Sequence, residues 1–513
     1  MRWLTTSALL GALLVGSPAL AEEPAETPAP ELSDEARAEA MAPYITAISS
    51  GDLDGAAAAL IAITDDATKA PVHGEAWLAL AALLSKADLP HAQLHALSKA
   101  IELDGARAAG QLDEAVSLAE ELGDDSELAA ALVGNIGLEM SPKTRAAVSF
   151  IAARWHLRQS NLGEAVGLLY TVTDTSSPFY TDSRNLLGVV LTQQGKPQAA
   201  LAPFEDAKAR GLAEKRGDRW NNLVELNLGR AFFTAGNWGQ SIYHYAQVQR
   251  GSEFWPQAQF ERAWAHFRAD DMTGALALLM NHESPFFEDW YFAEASLLRA
   301  YSLFMMCKFP DAGEAIEDFV QRYTPLKEEL DSAVAASTPE AAFADAVAFR
   351  EGRQGTIPAE FLGDLRFDDR LTDAMTALES LDAELETARS KQGPLAERAI
   401  GWLETRRGDI VVEQGERVIE RAQMAQVELK EMVTGIEITR LDLLNLEAQM
   451  LERAAVTGEL EYGDPIGRLR DMKKKQRKKW IWPFQGEFWA DELGWYRIDA
   501  RPDCPDSMAS GER

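Results

Sequence analysis

Residues able to catalyse a reaction or bind a metal are sparse in this chain. Only two of its seven histidines, His91 and His95, stand four residues apart, the spacing that places two metal ligands on one helix face. No third ligand follows at a suitable spacing, so we interpret them as two exposed histidines on a helix. No H-E-x-x-H, P-loop or G-x-S-x-G motif occurs. The sequence therefore predicts no catalytic residue, no cofactor and no metal, and a protein that is not an enzyme.

The C-terminal residues form the strongest local anomaly in an acidic chain. Residues 468–479 hold eight basic side chains and one acid, and residues 480–496 hold seven aromatic ones. Three interpretations compete: the aromatics cap an open end of the fold, dock a partner as buried anchors, or meet an anionic membrane surface. The residues that would dock a partner or a membrane are Lys473, Lys474, Lys475, Arg477, Lys478, Lys479, Trp480, Trp482, Phe484, Phe488, Trp489, Trp495 and Tyr496.

The overall charge excludes one class of partner. The formal net charge is −31 and the isoelectric point is near 4.7. A nucleic-acid-binding protein normally needs a basic face, so we expect no nucleic acid as a partner. The acidic surface keeps the chain soluble and favours basic partners.

A six-residue phrase, roughly Gly-polar-apolar-x-x-Ala, recurs along the first part of the chain. Its copies end at Ala56, Ala92, Ala115, Ala165, Ala200, Ser241, Ala275 and Ala312, with spacings of 36, 23, 50, 35, 41, 34 and 37 residues. A period of 34 to 37 residues indicates an array of helix pairs. Glycine at the turn takes a left-handed cap cheaply, and the closing alanine lets two helices approach closely. The spacings of 23 and 50 predict one irregular repeat.

The best copies carry a recognisable pattern. Leu187 and Gly188 precede Gly195, Ala200 and Phe204, and a second copy repeats this arrangement from Leu228 to Tyr245. This pattern resembles the tetratricopeptide repeat, and the resemblance covers roughly residues 40–323. It implies an all-α solenoid that binds other proteins in a concave groove. The candidate groove residues, polar side chains on predicted first helices, are Asn185, Asn221 and Asn227.

Two heptad patterns follow a helical connector, residues 324–366, in which we expect a helix to end at residues 323–325. The longer pattern runs Val418, Ala422, Ala425, Leu429, Met432, Ile436, Thr439, Leu443, Leu446 and Met450, with spacings that alternate between four and three. Such spacing is typical of a coiled-coil seam. We predict a coiled-coil helical hairpin over residues 367–458, turning at Gly393 and Pro394, and then the basic and aromatic segment 459–513. A homodimer through the same seam is the alternative.

The first residues predict export. A basic start, a short apolar core and Ala19-Leu20-Ala21 are typical of a signal peptide over residues 1–21, followed by an acidic Pro/Ala-rich disordered linker over residues 22–39. A periplasmic protein would result, with an envelope-associated or secreted one as the alternative. In an oxidising compartment Cys307 and Cys504 could pair, which the sequence leaves open.

Residues 480–496 also resemble the ending of exported tetratricopeptide-repeat proteins of the myxobacterial and related deltaproteobacterial envelope, some of which serve gliding motility. The resemblance implies a scaffold or adaptor in a cell-envelope complex, and other envelope proteins as its partners. The alternative function is a structural component of an envelope motility or transport machine, docked through its basic and aromatic C-terminus.

Overall fold

The computed structural model describes residues 33–287, 290–457, 486–498, 500–502 and 504, and these residues form helices and connecting turns without a strand. The predicted signal peptide lies outside them. So do the basic residues 468–479 and the aromatic side chains of Trp480, Trp482 and Phe484. None of the described helices is both long and apolar enough to cross a bilayer.

The helices follow one another in antiparallel pairs through the first two thirds of the chain. They are α1 (Asp34–Ser50), α2 (Leu53–Thr64), α3 (His73–Lys86), α4 (Pro90–Ala108), α5 (Leu112–Leu122), α6 (Ser126–Val133), α7 (Pro142–Arg158), α8 (Leu162–Thr171), α9 (Tyr180–Gln193), α10 (Pro197–Ala213), α11 (Gly217–Thr234), α12 (Trp238–Gln247), α13 (Trp255–Arg268), α14 (Met272–Leu279), α15 (Ala293–Met305), α16 (Phe309–Ala336), α17 (Pro339–Arg350), α18 (Asp369–Ser390) and α19 (Pro394–Thr457). A 3-10 segment, Ala359–Phe367, precedes α18.

Two compact units divide the chain. The first unit comprises the described residues up to 194 together with residues 368–415, and the second comprises residues 195–367 together with the described residues from 416 onward. Each unit therefore combines repeat helices with a piece of the C-terminal half. The helix α19 supplies residues to both.

The repeated phrase marks the turns between paired helices. Seven of its eight copies contain one residue with a positive φ of 56° to 79°; these residues are Gly51, Asp88, Ser160, Gly195, Gly236, Asp270 and Cys307. This is the left-handed conformation that ends a helix, so glycine is only one of the residues used there. The remaining copy, residues 110–115, lacks a residue with positive φ. There α4 is bent at Asp104 and α5 and α6 follow, which confirms the irregular repeat.

Close approach within a pair shows why small residues recur. A Cβ atom added to Gly229 would lie 2.5 Å from the ring of Tyr245, which is fully buried. The hydroxyl of Ser241 donates a hydrogen bond of 3.0 Å to the Gly229 carbonyl. The close approach of paired helices that a small closing residue permits is thus seen in this pair.

Several element boundaries differ from those expected. The helix α1 begins at Asp34, inside the predicted linker, because Ser33 caps it by accepting from the Ala36 amide. The helix α16 continues through Pro325 instead of ending there. Tyr323 and Leu330 are buried on either side of this proline, and their burial offsets its cost of roughly 3 kcal/mol. The chain then breaks at Thr338, whose hydroxyl caps α17.

A helical hairpin follows, as the sequence predicts. The helices α18 and α19 turn through Gly393, which has a φ of 106°. Their arms are joined by Arg389 to Glu404 at 2.9 Å and by Arg407 to Asp382 at 2.7 Å. In the first unit both arms contribute to the core of the N-terminal repeats; the buried members include Leu381, Leu385, Leu403 and Ile410.

The longer heptad seam is buried in another way than the coiled coil that we expected. Val418, Leu429, Ile436 and Leu443 are at most 4% exposed, and the long helix beside this stretch is α16, which it meets from Gln426 and Asp331 to Arg440 and Glu317. In the second unit this stretch packs against the last repeat. The side chain of Leu443, for example, lies against Gly313 of α16. The spacing therefore identified the buried face but not what covers it.

Cys307 and Cys504 form a disulfide bond in the second unit, with their Cα atoms 5.0 Å apart. The bond fastens the C-terminal residues to a repeat turn, since Cys307 is one of the positive-φ turn residues. Because the chain has two cysteines, alkylation of the unfolded, unreduced protein should label no thiol, and prior reduction should expose two. Mass spectrometry distinguishes the two results. Labelling of both thiols without reduction would contradict the pairing.

Candidate binding faces

Three first helices of the second unit lie side by side. The helix α11 contacts α13, and α13 contacts α15. Each carries a charged residue toward the others: Arg230, Glu261 and Glu294, respectively. We call this surface the first-helix face.

The pair of Arg230 and Glu261 anchors this face. The Nε atom of Arg230 donates to both carboxylate oxygens of Glu261 at 3.0 Å, and Nη2 donates at 2.6 Å. The amide of Gln257 donates a further bond of 2.8 Å. The Glu261 side chain is fully buried, so these donors replace the water that it loses. Such a carboxylate depends on its donors, because an unpaired buried charge is costly.

Two further carboxyl groups meet at the same place. Burial raises the pKa of Glu294 to about 8, and the neighbouring Glu428 and Glu261 add to the increase. Burial also raises the pKa of Glu428, which Arg421 partly opposes. At neutral pH Glu294 therefore keeps its proton. The contact between α15 and α19 consequently carries less negative charge than its sequence suggests.

The helix α19 lies beside α15, since a Cβ atom added to Gly435 would be 3.1 Å from the Tyr301 hydroxyl, and it also contacts α16 and the 3-10 segment. From α19, Gln426 donates a hydrogen bond of 2.7 Å to Asp331 of α16, and Arg440 pairs with Glu317 at 2.7 Å. Arg421 pairs with Asp364 of the 3-10 segment. In that segment Phe361 is buried, and its ring centroid lies 4.7 Å from that of Tyr291. The chain's own helix α19 thus already occupies the surface of the repeats at α15 and α16.

The described C-terminal residues, 486–498, 500–502 and 504, form a strap against α13 and the turns on either side of it. Leu493 is buried in a cluster with Trp255, and the Gly494 amide donates to Asn281 Oδ1 at 2.7 Å. Arg250 donates to the Asp491 carbonyl at 2.8 Å. The inward side of the strap, which packs on the repeats, supports the interpretation that the aromatic residues cap the fold. Its outward side keeps two large aromatics in water: Trp489 is 59% exposed and Trp495 is 70% exposed.

Of the aromatic residues predicted to dock a partner, four lie in this strap. Tyr496 packs against the Leu493 cluster, and its ring meets Phe488 at 6.1 Å. Trp489 and Trp495 point outward. The remaining docking residues, from Lys473 to Phe484, lie outside the described part of the chain.

The predicted groove asparagines are not gathered at one site. Asn227 is buried in α11, and Asn221, six residues earlier, is half-buried on another side of that helix. Asn185 belongs to the first unit and is half-buried in α9. The residues that sequence reasoning missed are Arg230, Glu261 and Glu294. The signal for the first was its place directly after the Leu228-Gly229 pair.

The first unit contains a buried ion pair. Arg406 of α19 donates to both carboxylate oxygens of Asp124, at 2.6 and 2.7 Å, and to Glu413 at 3.1 Å. The side chains of Arg406 and Asp124 are less than a tenth exposed. A cavity of about 10 Å³ beside them, lined by His91, His95 and Trp402 among others, is about the size of one water molecule. It offers no room for a substrate.

A carboxylate from the hairpin caps a repeat helix of the same unit. Glu384 of α18 accepts from the amides of His91 and Ala92 at 2.7 and 3.0 Å. These are the first free amides of α4, which starts with Pro90 and has no capping side chain of its own. Burial raises the pKa of Glu384 to about 7. The hairpin thereby satisfies donors that the local sequence leaves open.

The two histidines considered as metal ligands line the same small cavity but bond different partners. His91 is buried rather than exposed as expected, because its ring bonds Ser380 of α18 at 2.6 Å. His95 bonds Glu127 at 3.0 Å and stacks on Trp402. No group of three or more histidine, cysteine or acidic side chains within the described ranges could hold a metal ion.

A tetratricopeptide repeat model matches residues 226–281. The matched residues extend from α11 through α14 and include Arg230 and Glu261 of the first-helix face. No curated protein matches the chain.

The buried His282 makes the second unit sensitive to acid. Its Nε2 donates to the Pro256 carbonyl at 3.2 Å, and Phe260 and Phe292 surround the ring. Burial lowers its pKa from 6.5 to about 4. The stability that the neutral ring provides is complete above pH 6.5 and is lost as the pH falls through 4. A His282→Phe variant should lack this part of the acid sensitivity, a difference of roughly 3 kcal/mol.

Urea unfolding of the original chain and of His282→Phe at pH 7, 5.5 and 4 measures this contribution of His282 to acid sensitivity. Above pH 6.5 the free energies of unfolding of the two proteins should differ by a constant amount. Below pH 6.5 the variant should become more stable relative to the original chain. Parallel pH profiles would show that His282 is not the group responsible.

Proposed function

Since residues 226–281 match the tetratricopeptide repeat and helix pairs continue on both sides of them, we propose that this chain is a scaffold or adaptor that binds other proteins in the cell envelope. The repeat match is the observation that carries the proposal, because such arrays act through extended binding surfaces. No catalytic constellation among the described residues points to chemistry, and the cavity beside Arg406 is too small for a substrate.

The helix α19 refines this role. It lies against α15 and α16 of the second unit, so a partner for that part of the repeats must displace it or bind elsewhere. Leu429 and Ile436 of α19 are fully buried, so displacing this helix from the repeats would be costly. We therefore place the partner on surfaces that remain open, with the groove asparagines Asn185 and Asn221 as candidates on the repeats.

We propose a periplasmic location for the mature protein. The signal-like residues 1–21 support it, and so does the disulfide bond, which persists in oxidising compartments. The mass of the protein recovered from the periplasm tests the proposal. Cleavage after Ala21 gives a chain that begins at Glu22, whereas a full-length cytoplasmic product would refute it.

Crosslinking in the native cells, followed by identification of the bound proteins, tests the scaffold role. We expect the same envelope proteins in repeated experiments, captured by a crosslinking residue at position 185 or 221. A matched crosslinking residue at the buried position 227 serves as the control. If positions 185 and 221 capture nothing beyond the control, the repeats do not hold a partner as proposed.

A second candidate function is a structural part of an envelope motility or transport machine that docks through the C-terminus. The outward Trp489 and Trp495 of the strap favour it, as does the resemblance of residues 480–496 to exported repeat proteins, some of them linked to gliding motility. Flotation with anionic vesicles tests membrane docking by comparing the chain with a variant carrying Lys473→Gln, Lys474→Gln and Lys475→Gln. Equal and negligible binding by both proteins would exclude it.

A homodimer is the remaining proposal for assembly. The seam that we expected to mediate it is buried within one chain, so a dimer needs another surface. Sedimentation of the mature protein decides the matter, since a mass of one chain at all concentrations excludes the dimer.

A further inference from the structure

A second apolar seam runs along the exposed side of α19. Leu441, Leu444 and Leu451 are 60%, 52% and 54% exposed, and Ala448 and Ala455 lie between and beyond them in water. The five residues are spaced 3-4-3-4. This is the spacing at which one helix meets another in a coiled coil. We call these residues the outer seam.

The outer seam is distinct from the buried one. Leu443 and Met450, which alternate with it along the helix, are at most 9% exposed, and Leu443 lies against Gly313 of α16. A helix that packs on one protein surface needs only one apolar side. Three leucines held in water on its opposite side therefore indicate a surface that something else covers.

The residues beside the outer seam select its occupant. Among the positions that flank the seam, Glu447 and Glu452 are acidic and Asn445 is neutral, while Arg440 is paired with Glu317 of the same chain. The exposed Asp442 lies nearby. These flanking positions set partner choice in coiled coils. Two parallel copies of this chain would place Glu447 of one beside Glu452 of the other, and antiparallel copies would also bring like charges together. Acidic flanks thus disfavour a second copy and favour a basic helix.

We propose that the outer seam of α19 binds a helix of another protein that carries an apolar heptad seam flanked by Lys or Arg. The proposal rests on the scaffold role and gives its partner a chemistry. Residues 441–455 span about 22 Å, or two heptads. A contact of this length binds weakly and reversibly, as an adaptor does, and the strongly acidic chain attracts a basic partner from a distance.

Binding of two synthetic helical peptides to the full mature chain tests the proposal. Both have three heptads with Leu in the seam, and one has Lys at the flanking positions while the other has Glu. We expect the Lys peptide to bind at least tenfold more tightly than the Glu peptide. The variants Leu444→Asp and Leu451→Asp should weaken it at least tenfold. Leu212→Asp, at an isolated position of α10 that is 58% exposed, should not.

Charge reversal gives the decisive comparison. A variant with Glu447→Lys and Glu452→Lys should prefer the Glu peptide, because the flanks then attract the opposite charge. If this variant still preferred the Lys peptide, the binding would be due to the net charge of the chain, and the proposal would be overturned. Equal binding by Leu444→Asp and Leu212→Asp would do the same. Circular dichroism confirms that each variant keeps its helices.

The same variants and peptides would reveal either of two other occupants of the outer seam. If sedimentation shows a dimer that Leu444→Asp dissociates, a second copy covers the seam and the proposal fails. It also fails if neutralising Lys473, Lys474 and Lys475 tightens binding of the Lys peptide tenfold, because the chain's own basic run then competes. Failure of these peptide tests leaves the crosslinking test of the scaffold role standing, so the two can fail separately.

Discussion

Replacing Arg406 by Leu should lower the free energy of unfolding by about 3–5 kcal/mol, because it leaves the buried carboxylate of Asp124 without its two strongest donors. Arg406 is also the donor that holds the pKa of Asp124 below its usual value against the effect of burial. Urea unfolding at pH 7 measures the loss. Hydrogen exchange should show it in α5 and α6, next to Asp124.

A neighbouring arginine provides the matched control. Arg407 pairs with Asp382 on the exposed side of the hairpin, where such a pair contributes about 0–1 kcal/mol. Arg407→Leu should therefore change the stability little. Adding Asp124→Asn to Arg406→Leu should recover part of the loss, since the uncompensated charge is gone. Equal losses for the two arginine variants would refute the assignment of Arg406 as a structural anchor.

Replacing Leu429 and Ile436 by Ala should detach α19 from α15 and α16. Both side chains are fully buried, and each truncation costs about 2–5 kcal/mol. The whole stretch 416–457 should become sensitive to proteases, and the amides of α13 and α15 should exchange faster. Limited proteolysis and hydrogen exchange of the intact chain measure both effects.

The same helix offers the control variants. Val427 and Ile438 are 56% and 54% exposed, so Val427→Ala and Ile438→Ala change the helix without emptying the contact. They should leave proteolysis unchanged. If all four substitutions had equal effects, α19 would not be held by its buried seam.

The sequence predicts local features of this fold well because their causes are local. The repeated phrase marks the turns, since a left-handed residue is needed between two antiparallel helices. Seven of eight copies contain one, and the exception lies where the spacing breaks. The alternating spacing after Val418 likewise identifies the buried side of α19, because helix periodicity alone determines which residues share a face.

Contacts between distant residues escaped prediction for a physical reason. Glu384 caps α4 from 293 residues away, and Arg406 reaches Asp124 over 282 residues. The disulfide joins residues 197 apart. Neither periodicity nor spacing specifies which helix packs beside another, so the buried charges and the covering of α15 and α16 by α19 could only be seen in three dimensions. The choice of Asn185, Asn221 and Asn227 as groove residues depended on the same missing information and remains a prediction.

The core of the first unit is completed by residues far along the chain, and this has a consequence for folding. Repeat arrays usually fold through contacts between neighbours, which keeps contact order low. Here the core of the N-terminal repeats includes Leu381, Leu403 and Ile410, so it cannot close until the chain has been made beyond residue 410. Until then the apolar sides of α3 to α5 remain open, and the nascent protein is prone to aggregation. The hairpin is thus the step that ends this vulnerable period, and substitutions in it should reduce the yield of folded protein more than substitutions of equal size in the outer turns.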